Sequence, residues 1–307
     1  MSRNFGIGSR DLKRAGTMIL KNSGASFSSV ATNRSRWKNF SEWGQSRGLT
    51  NMEKINATDI VAYGQELAIQ VKGGSLGLAT AHNRISVVNR IFQLARSDKK
   101  VWASAVKDCG LPRRSGIAKA NRALSEAEHD ELCDRVPQVA ILRELLRRFG
   151  LRFKEGALLD AKSALIAAKK FHQITVSRGT KGGKARRISI TSPEQLAILE
   201  KASQLQDGRS MIPRQMSYVQ FRRVCYRMSG QFHRERHSYA HIRYEALVGA
   251  SCPIVAGKGH GRTHFRFLAE SLEISIDEAR GVDRAARLQV AAELGHKRKA
   301  ITNAYYG

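Results

Sequence analysis

Residues 171–191 read FHQITVSRGTKGGKARRISIT, and here helical periodicity gives way to alternation. Ile174 and Val176 alternate before a glycine-rich turn, and Ile188 and Ile190 alternate after it. Two such runs around a Gly-rich turn predict a β-hairpin with Lys181 and Lys184 at its tip. The next segment, SPEQLAILEKA (192–202), offers Ser192 as a helix N-cap and Pro193 at the first helical position. Most of the remaining chain has helical character, broken by the Gly- and base-rich run GASCPIVAGKGHGRTHFRF (249–267). The sheet is therefore expected to be small and set among helices.

Upstream, CGLPRRSGIAKANRALSEAEHDEL (109–132) interrupts periodicity with Pro112, Gly116 and a run of small and basic residues, as a linker does. Leu124-Ser125-x-x-Glu128 then supplies a staple residue and a capping box that announce a new helix. The segment before this boundary reads as helices throughout. In LATAHNRISVVNRIFQLAR (78–96), Leu78, Ala81, Ile85, Val88, Phe92 and Ala95 form one apolar stripe, with His82, Asn83, Arg84 and Arg90 opposite. SVATNRSRWKNFSEWGQSRG (29–48) buries Trp37 and Phe40 and presents Arg34, Arg36 and Lys38, while ATDIVAYGQELAIQV (57–71) runs into Gly73-Gly74, a C-cap pair. The expected fold is mainly α. A helical domain spans 1–115, a linker 116–121, and a helical domain with a small antiparallel sheet 122–307.

Charge narrows the function. Lys and Arg number 53 against 26 Asp and Glu, a net of +27 over 307 residues. Such an excess repels itself unless a polyanion neutralises it, and each neutralised phosphate releases condensed counterions. With 42% hydrophobic residues the chain can bury a core, which argues against wholesale disorder. Aromatics make up only 7% and form no stacking platform of the kind single-stranded RNA binders use. No apolar export segment or membrane-spanning run is evident, so a cytoplasmic, nucleoid-associated bacterial protein is expected. Cys109, Cys133, Cys225 and Cys252 lie far apart without a C-x-x-C pair and read as buried small hydrophobes. His233, His237 and His241 fall at i, i+4 and i+8, but no cysteine or carboxylate stands ready to complete a metal site. No metal or cofactor is expected.

Four short stretches carry the chemistry: RRFGLRFKEGALL (147–159), the hairpin tip, HRERHSYAHIRY (233–244) and LGHKRKAITNAYYG (294–307). Arg152 precedes Glu155 by three residues, His233 and Arg236 share a helix face, and His296 lies nine residues before Tyr305. Taken together and in this order, they resemble the catalytic domain of the tyrosine recombinases, the phage-integrase family. That pattern is an arginine in a Gly-Leu-Arg box, a lysine on a β-turn, His-x-x-Arg, then Leu-Gly-His and a tyrosine nine residues on. It is filled by Gly150-Leu151-Arg152, Lys181, His233 with Arg236, Leu294-Gly295-His296 and Tyr305, over roughly residues 140–307. The helical front segment likewise resembles the family's core-binding, SAM-like domain.

The resemblance implies a site-specific DNA recombinase that breaks and rejoins strands without metal or ATP, for integration or excision of a mobile element. Arg152 and Arg236 would clamp the phosphate with planar, permanently charged forks. Tyr305 would attack phosphorus, Lys181 would protonate the leaving 5′-oxygen, His233 would deprotonate or orient the tyrosine, and His296 would hydrogen-bond the phosphate. Lys184 competes with Lys181 for the acid role. His237 and His241 are rivals of His233, which alone has the arginine at the right offset. On a helix, Tyr306 points about 100° away from Tyr305 and is expected to pack. Glu155 is expected to position Arg152. Arg34, Lys38, His82, Arg84 and Lys184 are candidate DNA contacts. The implied partners are double-stranded attachment-site DNA and three further copies in a homotetramer, with a directionality factor or a host recombinase as possible additions and no membrane.

The sequence departs from the family pattern in three places. Glu235 stands where the family has an apolar residue, shifting the helix face or pairing with Arg234. The interval from His233 to His296 is 63 residues, longer than in compact members, and only Tyr306 and Gly307 come after the tyrosine, where members often carry a segment that docks on a neighbouring protomer. The alternatives are a catalytically silent DNA-binding protein of the same fold and a type IB topoisomerase.

Overall fold

The computed structural model describes residues 3–296 and 298–307. Contacts divide the chain into two units, Met1–Ser115 and Gly116–Gly307, so residues 116–121 go with the second.

The first unit is helical: α1 (Leu12–Asn22), α2 (Phe27–Gln45), α3 (Ala57–Lys72) and α4 (Leu78–Arg96). Its helices start on polar caps. The Asp11 side chain accepts from Arg14 N, the Ser26 side chain from Ser29 N, and Asn56 and Asp59 form a reciprocal capping box. Its core is aromatic. Trp37, Phe40, Tyr63 and Phe92 meet with ring centroids 5.1–6.1 Å apart. The Trp37 indole N–H donates to Leu12 O at 3.2 Å, which spares a buried donor from going unpaired. Ala81, Ile85, Val88 and Phe92 are buried as their spacing predicts, but Val87 and Asn89 are buried too, so α4 hides a broader face than the stripe implied.

The second unit runs α5 (Glu126–Arg135), α6 (Pro137–Phe149), α7 (Phe153–Ala157), α8 (Ala161–Phe171), β1 (Gln173–Val176), β2 (Arg186–Ser189), α9 (Pro193–Leu205), α10 (Tyr218–Met228), α11 (Phe232–Val248), α12 (Arg262–Leu272), α13 (Ile276–Glu293) and α14 (Asn303–Tyr306). β1 and β2 pair antiparallel with Ile174 opposite Ile188, and both side chains are fully buried. Ile190 lies past the end of β2, though its N–H still donates to His172 O at 2.8 Å. The hairpin packs with Leu145, Leu146, Phe149 and Leu199 in one apolar cluster. Fully burying a side chain such as Phe149 stabilises by roughly 1.5–3 kcal/mol. A second cluster joins Tyr239 and Tyr244 of α11 to Leu268, Val290, Leu294, Tyr305 and Tyr306. Helix α11 contacts both α6 and α13 and so lies between the two clusters. Ser125 and Glu128 form the capping box at α5, with Ser125 N donating to Glu128 Oε2 at 2.8 Å. Cys109, Cys225 and Cys252 are buried, whereas Cys133 is half-buried with its sulfur 3.6 Å from His129 Nε2.

Glu235 corrects one sequence expectation. It pairs not with Arg234 but with a cluster inside the fold, because its position on α11 faces α5 and α6. Its carboxylate, fully buried, lies 2.8 Å from Arg143 Nη1, 3.1 Å from His129 Nδ1 and 3.5 Å from Arg147 Nη1. Arg143 also donates to Ser229 Oγ and Gly230 O just ahead of α11, and its guanidinium stacks 4.7 Å over Phe232. Arg234 instead reaches Gln231 and Glu128. Burial alone would lower His129, but hydrogen bonds with Cys133, Glu144 and Glu235 outweigh it and push the imidazole up to about 11.

Two outcomes are expected of this cluster. Glu235→Ala strands the Arg143 and His129 charges, and a loss of about 3–5 kcal/mol is expected, read as a lower urea midpoint. The raised His129 makes its contribution complete below the unfolded value near 6.5 and lost as pH climbs through about 11. Chemical denaturation from pH 7 to 11 should therefore show stability falling in wild type, with a shallower fall in His129→Gln.

Candidate active site

The site forms where three chain segments turn. Helix α6 ends at Gly150 in the left-handed region (φ 56°), where a Cβ would stand 2.4 Å from the Tyr239 ring. Glycine is required there on both counts. The turn sets Arg152 at the start of α7. Glu155 reaches back from that helix's first turn, accepting from Arg152 N and Arg152 Nη1, each at 2.7 Å. From β2, Arg186 closes a fork on the same carboxylate, with Nη1 to Oε1 at 2.9 Å and Nη2 to Oε2 at 2.8 Å. Its Nε donates to Glu293 O at 2.6 Å, at the end of α13. Arg236 Nη1 stands 3.9 Å from Glu155 Oε2. Burial raises the Glu155 carboxyl, but the bonds and charges of Arg186 and Arg152 outweigh that and hold it below the usual range.

Arg236 is fully buried on α11. Its Nη1 donates to Gly150 O, its Nη2 to Leu294 O, and its Nε to the Tyr305 hydroxyl at 3.1 Å. His296 Nε2 lies 3.3 Å from the same hydroxyl and 3.3 Å from Arg236 Nη2. Arg152 keeps 24% of its side chain exposed and so can meet an incoming anion. Tyr305 itself is buried. Its ring centroid lies 4.6 Å from His237, 5.9 Å from His296 and 6.4 Å from His233. His237 is thus nearer to Tyr305 than His233, and its neighbour one turn along, His241, bonds the Tyr305 carbonyl through Nε2 at 2.8 Å. Tyr306 turns away, donating to Ala240 O at 3.2 Å and packing 4.9 Å from Tyr244.

The four-residue helix α14 is too short to hold itself. It is fixed from outside by segments far away in sequence. Ala118 N donates to Asn303 O at 2.9 Å, Ile254 N to Tyr306 O at 2.8 Å, and Arg287 Nη1 to Asn303 Oδ1 at 3.1 Å. His260 Nδ1 lies 2.6 Å from Gly307 O. The residues between His233 and His296 that exceed a compact spacing thus include a dock for this helix.

The histidines are set neutral. Burial, followed by the charges of Arg236, Arg152, Arg186 and Lys181, lowers His296 to about 4. Burial and the neighbouring His233, His241, Arg122 and Arg236 lower His237 to about 3. His233, exposed yet partly desolvated by its surroundings, is lowered first by that desolvation and then by Arg236, Arg152 and Arg122.

Lys181 sits on an exposed 3-10 turn (Lys181–Gly183) between the strands, and Lys184 is exposed beside it. In the first unit, Arg34 is exposed, Lys38 is exposed and 3.4 Å from Glu42, and Arg84 is half-buried. His82 is half-buried with Nε2 2.9 Å from Pro112 O, so one ring nitrogen is engaged by its own chain. Sequence reasoning missed Arg186, Glu293 and the closeness of His237. One signal for Arg186 was there: it stands two residues before Ile188, on the inward side of β2, where an apolar residue belongs.

Among the described residues no group of three or more His, Cys, Asp or Glu is placed to hold a metal ion, and no helix is long and apolar enough to cross a membrane. The sequence profile of the family described as "Integrase" matches residues 113–244, spanning Arg152, Lys181, His233 and Arg236 and ending before His296 and Tyr305. Among solved structures, the Tn1549 transposon integrase in complex with transposon right end DNA is similar over 97% of this chain and 95% of its own, at 11% identity and TM-score 0.59. A lambda integrase dimer bound to a COC′ core site matches over 95% and 92%, at 15% identity and TM-score 0.57. A lambda integrase tetramer bound to a Holliday junction matches over 76% and 72%, at 17% identity and TM-score 0.52. A comparison with curated protein sequences gave no match.

The lowered histidines give a pH expectation of opposite sign to that of His129. Stability contributed by neutral His296 and His237 is present above the unfolded value near 6.5 and lost as pH falls toward about 4 and about 3. Urea unfolding between pH 7 and 4 should show the loss. Replacing His237 with Gln should flatten the slope in that window.

Proposed function

We propose, from the integrase profile match over residues 113–244 and the fold shared with solved integrases, that this protein is a site-specific DNA recombinase of that family acting through Tyr305. One observation carries the reading. The Tyr305 hydroxyl stands 3.1 Å from Arg236 Nε and 3.3 Å from His296 Nε2, next to the turn that holds Arg152 against Glu155. A phosphodiester brought to that point meets the nucleophile and fixed positive charge together. That is what phosphoryl transfer asks of a protein.

In the proposed reaction Arg152 and Arg236 take the non-bridging oxygens. Tyr305 Oη bonds to phosphorus as the bond from phosphorus to the 5′-oxygen breaks, leaving a 3′-phosphotyrosyl link. The tyrosine proton passes to His233, whose lowered basicity leaves it neutral and able to accept at neutral pH. Lys181 delivers a proton to the leaving 5′-oxygen. His296, also neutral, orients the phosphate. The phosphotyrosine keeps the bond energy, so a second strand's 5′-hydroxyl reverses the step without ATP. Four copies on two duplexes would complete an exchange, in keeping with the lambda integrase tetramer on its junction. Integration or excision of a mobile element is the role this predicts, in keeping with the transposon source of the Tn1549 integrase.

A nicked suicide substrate of the element's own junction DNA tests the reading. Wild type should give an adduct that survives denaturant, and Tyr305→Phe should bind DNA and give none. Arg152→Ala should cut the adduct rate by about 10²-fold or more with Tyr305 in place. An adduct that persists in Tyr305→Phe but vanishes in Tyr306→Phe would move the nucleophile. Tight binding with no adduct in wild type would mark a silent DNA-binding protein. Relaxation of a supercoiled circle lacking any site would mark a topoisomerase.

A further inference from the structure

The hairpin loop at 177–185 carries Lys181, and its two feet are held differently. At the first foot, Arg178 donates to Arg209 O, and Gly179 (φ 76°) lies so close to Lys154 that a Cβ would stand 2.8 Å from its carbonyl oxygen. The second foot is Arg186, the first residue of β2, whose side chain is only 6% exposed. Three donors of that one guanidinium tie the foot to Glu155 Oε1, Glu155 Oε2 and Glu293 O. The first two lead to the Arg152 turn. The third leads to the Leu294-Gly295-His296 turn, where a Cβ at Gly295 would stand 3.1 Å from Arg186 Cδ. The tip between the feet is exposed, with Gly182 and Gly183 both at positive φ. An exposed glycine turn does little to fix a side chain, so the position of the lysine is set at the feet.

We infer that Arg186 is a positioning residue for the acid step: it anchors the loop so that Lys181 meets the leaving oxygen, and it does not act chiefly through the Arg152 clamp. This rests on the proposed roles of Tyr305 and Lys181. Glu155 keeps two hydrogen bonds from Arg152 when the Arg186 side chain is removed, whereas the loop's second foot keeps only its backbone pairing with Val176 and loses its three ties to the site. A lysine at 186 retains a cation but cannot form the fork and the third bond together.

The discriminating measurement is a comparison of leaving groups. When the 5′-bridging oxygen of the scissile phosphate is replaced by sulfur, the bond from phosphorus to sulfur breaks to give a thiolate that needs no proton. Adduct formation on both substrates is measured for wild type, Lys181→Ala, Arg186→Ala and Arg186→Lys. The expected result is that both Arg186 variants lose at least about tenfold on the oxygen substrate and recover most of it on sulfur, as Lys181→Ala does. Equal losses on both substrates would overturn the inference and place Arg186 behind Arg152. No loss on either would also overturn it. Should Arg186→Ala fold poorly, Arg186→Lys carries the same comparison, with thermal melting confirming the fold. An absence of adduct from wild type on either substrate would instead overturn the recombinase reading beneath it. Adduct from wild type with no sulfur rescue of Lys181→Ala would remove Lys181 as the acid and overturn this inference with it.

Discussion

One buried carboxylate organises the candidate site of the second unit. Glu155 draws Arg152 and Arg186 into hydrogen-bonding distance, with Arg236 at 3.9 Å. Three guanidinium groups would repel one another in a low-dielectric interior, and a single anion hydrogen-bonded to two of them changes the balance. The excess positive charge that remains is directed toward the tyrosine. In the proposed reaction the scissile phosphate would complete the neutralisation that Glu155 begins. The carboxylate sits on a five-residue helix that cannot be stable alone, so the arrangement depends on the turn at Gly150 and the packing beneath it.

A second charged cluster serves the same helix from another side. Glu235 is neighbour to Arg236 in sequence but points about 100° away around the helix, into His129, Arg143 and Arg147. Helix α11 is held through buried charges on two faces. Its entry is strained, with Gln231 at φ 63°, and Arg143 grips the chain on both sides of that residue through Ser229, Gly230 and Glu235. The position of His233, two residues beyond Gln231, is thereby tied to the core of the unit and not to loop chemistry alone.

The mainly helical class, the hairpin and its place in the chain were legible because they rest on local rules: alternation, capping boxes and an apolar stripe. Helix α1 went unread, although Asp11 caps it and Leu12, Ala15, Ile19 and Leu20 give it a buried apolar stripe. In the site, residues such as Arg152, Arg236 and Tyr305 were singled out by order and spacing. Their convergence rests on segments between 58 and 86 residues apart, as the bonds of Arg236 to Leu294 and Gly150 show, and no local pattern encodes that. Arg186 was missed for an instructive reason. In a chain this basic another arginine draws no notice, and only its inward register on β2 marks it. Glu235 was noticed but given the wrong partner, because Arg234 is near in sequence and Arg143 is near only in the fold.

The dock of α14 carries a consequence for the life of the polypeptide. Ala118, His241, Ile254, His260 and Arg287 all contribute to fixing the last turn, and they come from segments spread across the whole second unit. The place of the Tyr305 hydroxyl therefore depends on segments from across the second unit being folded together. A partly folded molecule already carries its share of the +27 net charge while that hydroxyl has no fixed neighbours. Positive charge accrues residue by residue along the chain, whereas the surroundings of the Tyr305 hydroxyl exist only in the finished fold.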